Sequence, residues 1–294
     1  MKITFGMIVF NGEHFLKQCL ESVYPFAHQI LIAEGPVSYW QNQGYSTSFD
    51  KTNDILNSFS DPQNKIKIVH GQYAEKDAQC KAYMQFLDPS TDYIWNLDSD
   101  EIYKQNDIEA LIKLLHDYKC TSVGVQSCSF YGGFERHIGG FEEERDQFLR
   151  IFKVYPGSTW LTHRPPTIIT PPGILTLPKS HLSSDVLWKQ FGIRMYHYSY
   201  VMPHQVEQKI AYYKMAVSKH KCIDNYYGSV YLPWVKGSPE QRLEIEKKFN
   251  GVHEWKPEYR THTLTKPFLG EHPDSIQSSM EQLKMDFNNQ LIGA

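Results

Sequence analysis

Two aspartates one residue apart close an apolar, aromatic-rich run of the sequence. Asp98 and Asp100 end the segment 93–101, and alternate residues of an extended chain face the same side, so both carboxylates are expected to point together. Mg²⁺ and Mn²⁺ prefer oxygen ligands and keep coordination positions that phosphate oxygens fill. The pair therefore predicts a metal-diphosphate site. The alternative is a turn, or the N-terminal cap of the helix expected near Asn106.

The elements before this pair follow a regular alternation. Buried-strand patterns alternate with helical patterns, and the strands cover residues 3–10, 29–33, 66–69 and 93–97. This alternation predicts an α/β fold with a mainly parallel sheet flanked by helices, in which ligands bind at the carboxyl ends of the strands. The residues expected at that edge are Asn11, Glu34, His70 and Asp98.

The rest of the chain has a less regular pattern. We predict strands over 122–130, 148–154 and 193–200, and a loop or lid over the proline-rich run 164–178. An amphipathic helix is expected over 204–220. The sequence Ser238-Pro239-Glu240-Gln241 is a capping signature that predicts a helix to about Phe249. The tail after Gly270 is expected to attach loosely.

Composition restricts the class of protein. The 30 Lys and Arg residues against 33 Asp and Glu residues give a formal net charge of -3, which offers no basic surface to nucleic acid. The five cysteines form no CxxC pair, and their odd number favours a reducing, cytoplasmic location. No apolar stretch approaches the roughly 18 residues of a membrane span. Peripheral contact with a membrane is left open.

Several motifs together resemble one enzyme family. Asn96-Leu97-Asp98-Ser99-Asp100-Glu101 resembles the DXD metal motif of family-two glycosyltransferases with the GT-A fold. Residues 7–22 are similar to the first strand and helix of that family, and residues 48–52 to its signature after the second strand. Residues 196–200 resemble the His segment of the lipopolysaccharide-core branch. The resemblance covers about residues 1–217, and it implies a Rossmann-like GT-A domain.

The resemblance also implies a division of the chain and of the site. Residues 1–200 would form the nucleotide-sugar-binding and catalytic domain, and residues 201–294 a mainly helical extension on the acceptor side. The expected donor-binding residues are Asn11, Glu34, Asp98, Ser99, Arg150 and His163. The expected ligands of Mn²⁺ or Mg²⁺ are Asp98, Asp100 and His197.

The implied reaction is transfer of a sugar from a nucleotide-diphosphate donor to a hydroxyl group of a glycan or glycolipid. A metal ion would stabilise the departing diphosphate, and one carboxylate would deprotonate the acceptor in a displacement that inverts the anomeric centre. The His-Glu pair of the compared branch is missing at Thr162–Thr167. We therefore expect the base within Glu142–Asp146, with Glu143 or Glu144 preferred.

Two other functions compete with this interpretation. A Mg²⁺-dependent nucleotidyltransferase also places acids at strand ends, but it needs a basic, glycine-rich phosphate loop that Asn11-Gly12-Glu13 does not provide. A carbohydrate-binding protein with a decayed site is disfavoured because Asp98, Asp100 and His197 are all present. Donor hydrolysis with and without metal separates the three functions.

Overall fold

The computed structural model describes residues 1–139, 148–170, 174–175, 180–216, 225–249 and 264–292. Its strands are β1 (Ile3–Val9), β2 (Gln29–Glu34), β3 (Ile66–His70), β4 (Tyr93–Asp98), β5 (Glu101–Ile102), β6 (Ser122–Val125), β7 (Ser127–Tyr131), β8 (Arg136–Ile138), β9 (Phe148–Lys153), β10 (Thr159–His163), β11 (Pro166–Thr170), β12 (Ile174–Leu175), β13 (His181–Leu182), β14 (Met195–Tyr200) and β15 (Thr265–Pro267).

Its helices are α1 (Leu16–Val23), α2 (Ser38–Gln41), α3 (Thr52–Ser58), α4 (Lys76–Met84), α5 (Gln105–Tyr118), α6 (Ser184–Phe191), α7 (Pro203–Ala216), α8 (Leu232–Lys236), α9 (Pro239–Lys248), α10 (Asp274–Gln277) and α11 (Met280–Ile292). A 3₁₀ turn covers Tyr24–Phe26, and a π-helical turn covers Tyr227–Tyr231. None of the helices in the described ranges has the length and apolar character that crossing a membrane requires.

The chain forms two compact units that exchange segments along the sequence. The first unit contains residues 1–125 and 147–194, and the second contains 126–146 and 195–294. This division differs from a boundary at residue 200. The reason is strand pairing, because β7 lies parallel to β14, with Ser127 beside Met195, and so folds with the later part of the chain.

The first unit is built on a sheet with the strand order β13-β6-β9-β4-β1-β2-β3. Strand β1 runs parallel to β2 and β4, β2 runs parallel to β3, and β9 runs antiparallel to its neighbours β4 and β6. Every residue of β1 is buried, as is typical of a parallel strand covered on both faces. The predicted α/β fold, with a mainly parallel sheet flanked by helices and a helical C-terminal part, is confirmed.

Two predictions about the strands and loops after residue 120 were wrong. The single strand predicted over 122–130 is broken at Gln126, because β6 pairs with β9 whereas β7 pairs with β14. The predicted proline-rich loop contains β11 and β12, which pair in an antiparallel sheet with β10. Pro166 is the first residue of β11, where its missing N–H is tolerated.

The second unit contains the sheet segment β15-β8-β7-β14 and the C-terminal helices. The capping box predicted at Ser238 is present, since its hydroxyl accepts from the Gln241 N–H and the Gln241 side chain accepts from the Ser238 N–H. The expectation of a loosely attached tail was wrong. Ile276 of α10 and Leu283 of α11 are buried, so both helices have packed apolar residues.

Candidate functional site

The carboxyl ends of β1, β2 and β4 lie side by side. Ile8 of β1 pairs with Asp98 of β4, and Val9 of β1 pairs with Glu34 of β2. The buried side chain of Gln79, on α4, donates to the carbonyl oxygens of Val9, Ala33 and Gly35 at 3.3, 2.9 and 3.3 Å. One amide thus holds the ends of β1 and β2 at a common edge of the sheet.

Asp98 and Asp100 lie on different elements. Strand β4 ends at Asp98, the chain turns at Ser99 and Asp100, and Glu101 begins β5. The Asp98 N–H donates to the Glu101 carboxylate at 3.2 Å, and the Cys19 thiol donates to the Glu101 carbonyl oxygen at 3.2 Å. The assumption of an extended chain through Asp100 was wrong, because these hydrogen bonds hold a turn.

The third acid of the motif, Glu101, is fully buried. Glu101 has no exposed side-chain surface and binds the Arg150 guanidinium through both carboxylate oxygens, one of them 2.8 Å from Nε. Arg150 Nη2 also lies 3.7 Å from Asp98 Oδ2. Because Glu101 fixes the guanidinium, Arg150 presents its positive charge to Asp98. The sequence prediction placed Arg150 at the donor, and its contact with the diphosphate stays a prediction.

Asp98 is ionised at neutral pH and accessible from outside. Burial raises its pKa, but the positive charges of Arg150, Lys76 and Arg164 outweigh this and hold the pKa well below its usual range. The side chain is 28% exposed, which leaves room for a ligand to reach an oxygen atom. An ionised, reachable carboxylate can bind a metal ion or accept a hydrogen bond from a hydroxyl group.

His163, predicted to bind the donor, lies on β10 against α4. Its backbone N–H donates to Asp77 Oδ1 at 2.6 Å, and its ring Nδ1 is 3.7 Å from Cys80 Sγ. Burial lowers the pKa of His163 to about 3, although the charge of Asp98 acts in the opposite direction. Burial likewise raises the pKa of Cys80 to about 12. At neutral pH the site therefore contains a neutral imidazole beside a protonated thiol, and neither group is a charged nucleophile.

Glu34 and Asn11 hold the loop that precedes α3. The buried Glu34 carboxylate accepts from the Ser48 N–H at 2.8 Å and lies 3.0 Å from His70 Nδ1. Asn11 has a left-handed backbone with φ of 54°, and its side-chain oxygen accepts from the Phe49 N–H at 3.0 Å. Both predicted donor-binding residues thus order residues 48–49 at the sheet edge. Their contact with a nucleoside stays a prediction.

An aromatic cluster that the sequence interpretation did not identify lies at the same edge. Phe10 follows β1, and its ring centroid is 5.4 Å from that of Trp40 and 6.0 Å from that of Phe49. Phe49 stacks on Tyr45 at 4.3 Å and keeps 48% of its surface exposed. Exposed rings of this kind present apolar faces to bases and sugars. The only sequence signal was the generally high aromatic content.

The structure brings only part of the predicted metal site to the sheet edge. In the described ranges, no three or more His, Cys, Asp or Glu side chains are arranged as a metal site. Asp98 and the half-buried Asp100 supply carboxylate oxygens of the kind that divalent cations bind, and Ser99 separates them in the sequence. His197 is on β14 of the second unit. Glu143 and Glu144 lie outside the described residues.

Comparison with known proteins identifies a domain within the chain. Residues 46–167 match the model of glycosyl transferase family 2, which is less than half of the chain. These residues include the strand that ends at Asp98. The lipopolysaccharide-core branch has no such support. No curated protein matches the chain.

Several solved structures are similar to the chain at low identity. S. aureus TarS in complex with UDP-GlcNAc shares 12% identity at a TM-score of 0.35, and the match covers 46% of this chain and 36% of that one. Another structure, of S. aureus TarS 1–349, shares 9% identity at a TM-score of 0.42, and the match covers 85% of this chain and 72% of that one. The 4-diphosphocytidyl-2C-methyl-D-erythritol synthase of Anaerococcus prevotii shares 12% identity at a TM-score of 0.33, and the match covers 52% of this chain and 71% of that one. This chain thus spans just over a third of the first TarS chain.

Proposed function

We propose that this protein moves a sugar from a nucleotide-diphosphate donor to a hydroxyl group of a glycan or glycolipid, with the help of a divalent metal ion and with inversion. The observation that carries the proposal is the state of Asp98. It is an ionised, partly exposed carboxylate at the carboxyl end of a central parallel strand. It also lies within the segment that matches glycosyl transferase family 2.

The nucleoside would bind where β1 and β2 end. Glu34 and Asn11 order the 48–49 loop there, and the rings of Phe10, Trp40 and Phe49 supply an apolar wall beside it. Ligands of parallel sheets bind at this edge because the strand ends leave a crevice. A flat base with a polar ribose matches such a combination of rings and hydrogen-bonding groups.

The diphosphate would lie beside Asp98. Asp98 and Asp100 would hold Mn²⁺ or Mg²⁺, with His197 as the further protein ligand. When bound, the cation supplies positive charge that stabilises the departing diphosphate. Arg150 keeps Asp98 ionised, and Lys76 and Arg164 add positive charge within electrostatic reach of the same carboxylate.

The acceptor hydroxyl must lose a proton as it attacks the sugar. His163 is held neutral by burial, but its Nδ1 faces Cys80. We therefore propose that the base lies in the acidic segment 142–146, at Glu143 or Glu144. A single displacement assisted by one base inverts the anomeric centre. NMR of the product tests this part separately, because retention of configuration would contradict it.

The central test replaces Asp98 with Asn and measures nucleotide binding and donor hydrolysis in the presence of Mn²⁺. We expect affinity for the nucleoside diphosphate to fall at least about tenfold and turnover at least about a hundredfold. Asp117→Asn is the matched control, since Asp117 is an exposed acid of the same unit, in the last turn of α5. Wild-type binding and turnover by Asp98→Asn would refute the proposal. Release of pyrophosphate from a nucleoside triphosphate mixed with a sugar phosphate, without hydrolysis of the nucleotide-diphosphate sugar, would favour a nucleotidyltransferase.

A further inference from the structure

The second unit contains a cavity of about 390 Å³ that none of the proposed donor residues lines. Its walls come from the turn after β7, from α8 and α9, and from α11. The apolar part of the wall includes Val235, Phe287 and Leu291. Sites for small molecules typically have volumes of roughly 300–1,000 Å³ and combine apolar walls with a few placed polar groups. The volume and the apolar wall both fit that description.

Two arginines in the wall are held by neutral oxygen atoms. Arg242 donates from Nε to the Trp234 carbonyl oxygen and from Nη2 to that of Val235, both at 2.9 Å. Arg136 donates from Nε to Thr265 Oγ1 at 2.9 Å and from Nη2 to the Thr265 carbonyl oxygen at 2.8 Å. A guanidinium has five N–H donors. Each arginine is thus fixed in position and keeps donor capacity beyond these bonds.

The charges of the wall favour an anion. Three cations, Arg136, Arg242 and Lys284, face one carboxylate, Glu135, which pairs with Lys284 at 2.6 Å. Behind them, the buried Glu246 carboxylate accepts from Trp234 Nε1 at 2.8 Å and from the Thr265 hydroxyl at 2.6 Å. Burial, and then the charge of Arg136, lowers the pKa of Arg242, although the charges of Glu246 and Glu135 act in the opposite direction. The two guanidinium groups therefore repel each other, and an anion between them would relieve this repulsion.

Two glycines shape the wall between the arginines and the apolar residues. Gly132 and Gly133 have φ angles of +60° and +136°, which other residues rarely adopt. A Cβ atom on Gly132 would come within 2.3 Å of the Trp234 ring. The backbone therefore forms this part of the wall, and a ligand can approach it more closely than it could approach a side chain.

We propose that this cavity is a second ligand site, which binds a sugar-sized ring carrying a phosphate or carboxylate group. The anionic group lies between Arg136 and Arg242, and the ring packs against Phe287 and Leu291. The proposal stands independently of the donor site, because every residue of the wall belongs to the second unit. It assigns to the C-terminal part of the chain a binding role of its own.

Calorimetry with glucose 6-phosphate, glucose and inorganic phosphate at about 0.15 M salt tests the proposal. We expect glucose 6-phosphate to bind at least about tenfold more tightly than either of its parts, because the arginines and the apolar wall both contribute. Glucuronate serves as the carboxylate probe. Equal affinity for inorganic phosphate and glucose 6-phosphate would overturn the role of the ring, and absence of saturable binding by every probe would overturn the site.

Three variants locate the binding. Arg136→Gln should weaken glucose 6-phosphate binding about tenfold or more. The control is Lys247→Gln, which should leave binding unchanged, because Lys247 is an exposed cation of α9 that does not line the cavity. Leu291→Trp fills the cavity without removing a charge and should abolish binding. Thermal melts check that each variant is folded. Tight binding by folded Leu291→Trp would overturn the proposal, and unchanged nucleoside diphosphate affinity in that variant separates this site from the donor site.

Discussion

Replacement of Arg150 by Met removes the cation on which the charge of Asp98 depends. The change leaves Glu101, which has no exposed side-chain surface, without its two-point partner, and it takes away the guanidinium 3.7 Å from Asp98. Breaking a buried pair by removing one partner costs about 3–5 kcal/mol. Since globular proteins are stable by about 5–15 kcal/mol, we expect a large fall in the urea midpoint of the first unit.

The double variant Arg150→Met/Glu101→Leu separates stability from function. Apolar residues of similar volume often replace a buried pair at no net cost. We therefore expect the free energy of unfolding of the double variant to lie within about 1 kcal/mol of the wild-type value. Asp98 still loses its nearest cation in this variant. We therefore expect nucleotide binding and donor hydrolysis to stay impaired in a protein whose stability has returned.

The dependence on pH gives an independent measurement. The pKa of Asp98 is depressed in the folded protein, so its stabilising contribution is present above the unfolded pKa of about 3.9 and is lost as the pH falls through the folded value. We expect this acid-induced loss to be smaller in the double variant. Urea denaturation at pH 7 and in acid measures both effects. A free energy of unfolding of Arg150→Met that lay within about 1 kcal/mol of the wild-type value would refute the reasoning. A double variant as unstable as the single one would also refute it.

Three further expectations concern backbone, capping and protonation. Gly35→Ala should lower the free energy of unfolding by more than about 2 kcal/mol, because φ is +141° and the new Cβ would lie 1.8 Å from the Gly71 oxygen. In thermal melts the control is Gly44→Ala, which also has a positive φ, of +90°, but whose Cβ meets nothing within 4 Å, so that the difference between the two variants reports the clash. Ser238→Ala should cost about 1 kcal/mol in urea denaturation through loss of the capping box. His163, with a pKa of about 3 in the folded protein, should make the protein less stable as the pH falls from about 6.5 towards 3, and His163→Gln should remove this contribution.

Each of these expectations has its own contrary result. Equal melting temperatures for Gly35→Ala and Gly44→Ala would show that the contact of the new Cβ with the Gly71 oxygen adds no cost. An unchanged urea midpoint for Ser238→Ala would show that the cap does not stabilise α9. A ring signal of His163 that titrates near pH 6.5 in NMR would show that the imidazole is hydrated in the folded protein.

The sequence predicted those features that depend on neighbouring residues. Strands β1 to β4 lie within about a residue of their predicted bounds, because buried parallel strands appear as short apolar runs. The Ser238 capping box was predicted and is present, since capping depends on residues three positions apart. The placement of Asn11, Glu34 and Asp98 at one sheet edge followed from the alternation of strands and helices, which predicts parallel strands.

The pairings that determine the chemistry of the site join distant residues. Arg150 and Glu101 are 49 positions apart, and His163 and Asp77 are 86 apart. In the sequence Glu101 was only the third acid of a motif, because charge alone does not show which acid is buried against a cation. The proline-rich run was assigned to a loop for a similar reason, since the pairing of β11 with β10 is a property of the sheet.

The exchange of segments between the two units affects how the protein can be made. During synthesis β7 and β8 leave the ribosome before β9 and β13 of the first unit, and the parallel partner of β7, which is β14, follows about sixty residues after β7. For that interval, residues 126–138 have no completed unit to join, which is the condition in which nascent chains recruit chaperones. A gene fragment that starts at residue 201 would lack β7, β8 and β14. A graft of the C-terminal unit onto another protein must therefore carry the 126–146 segment together with residues 195–294.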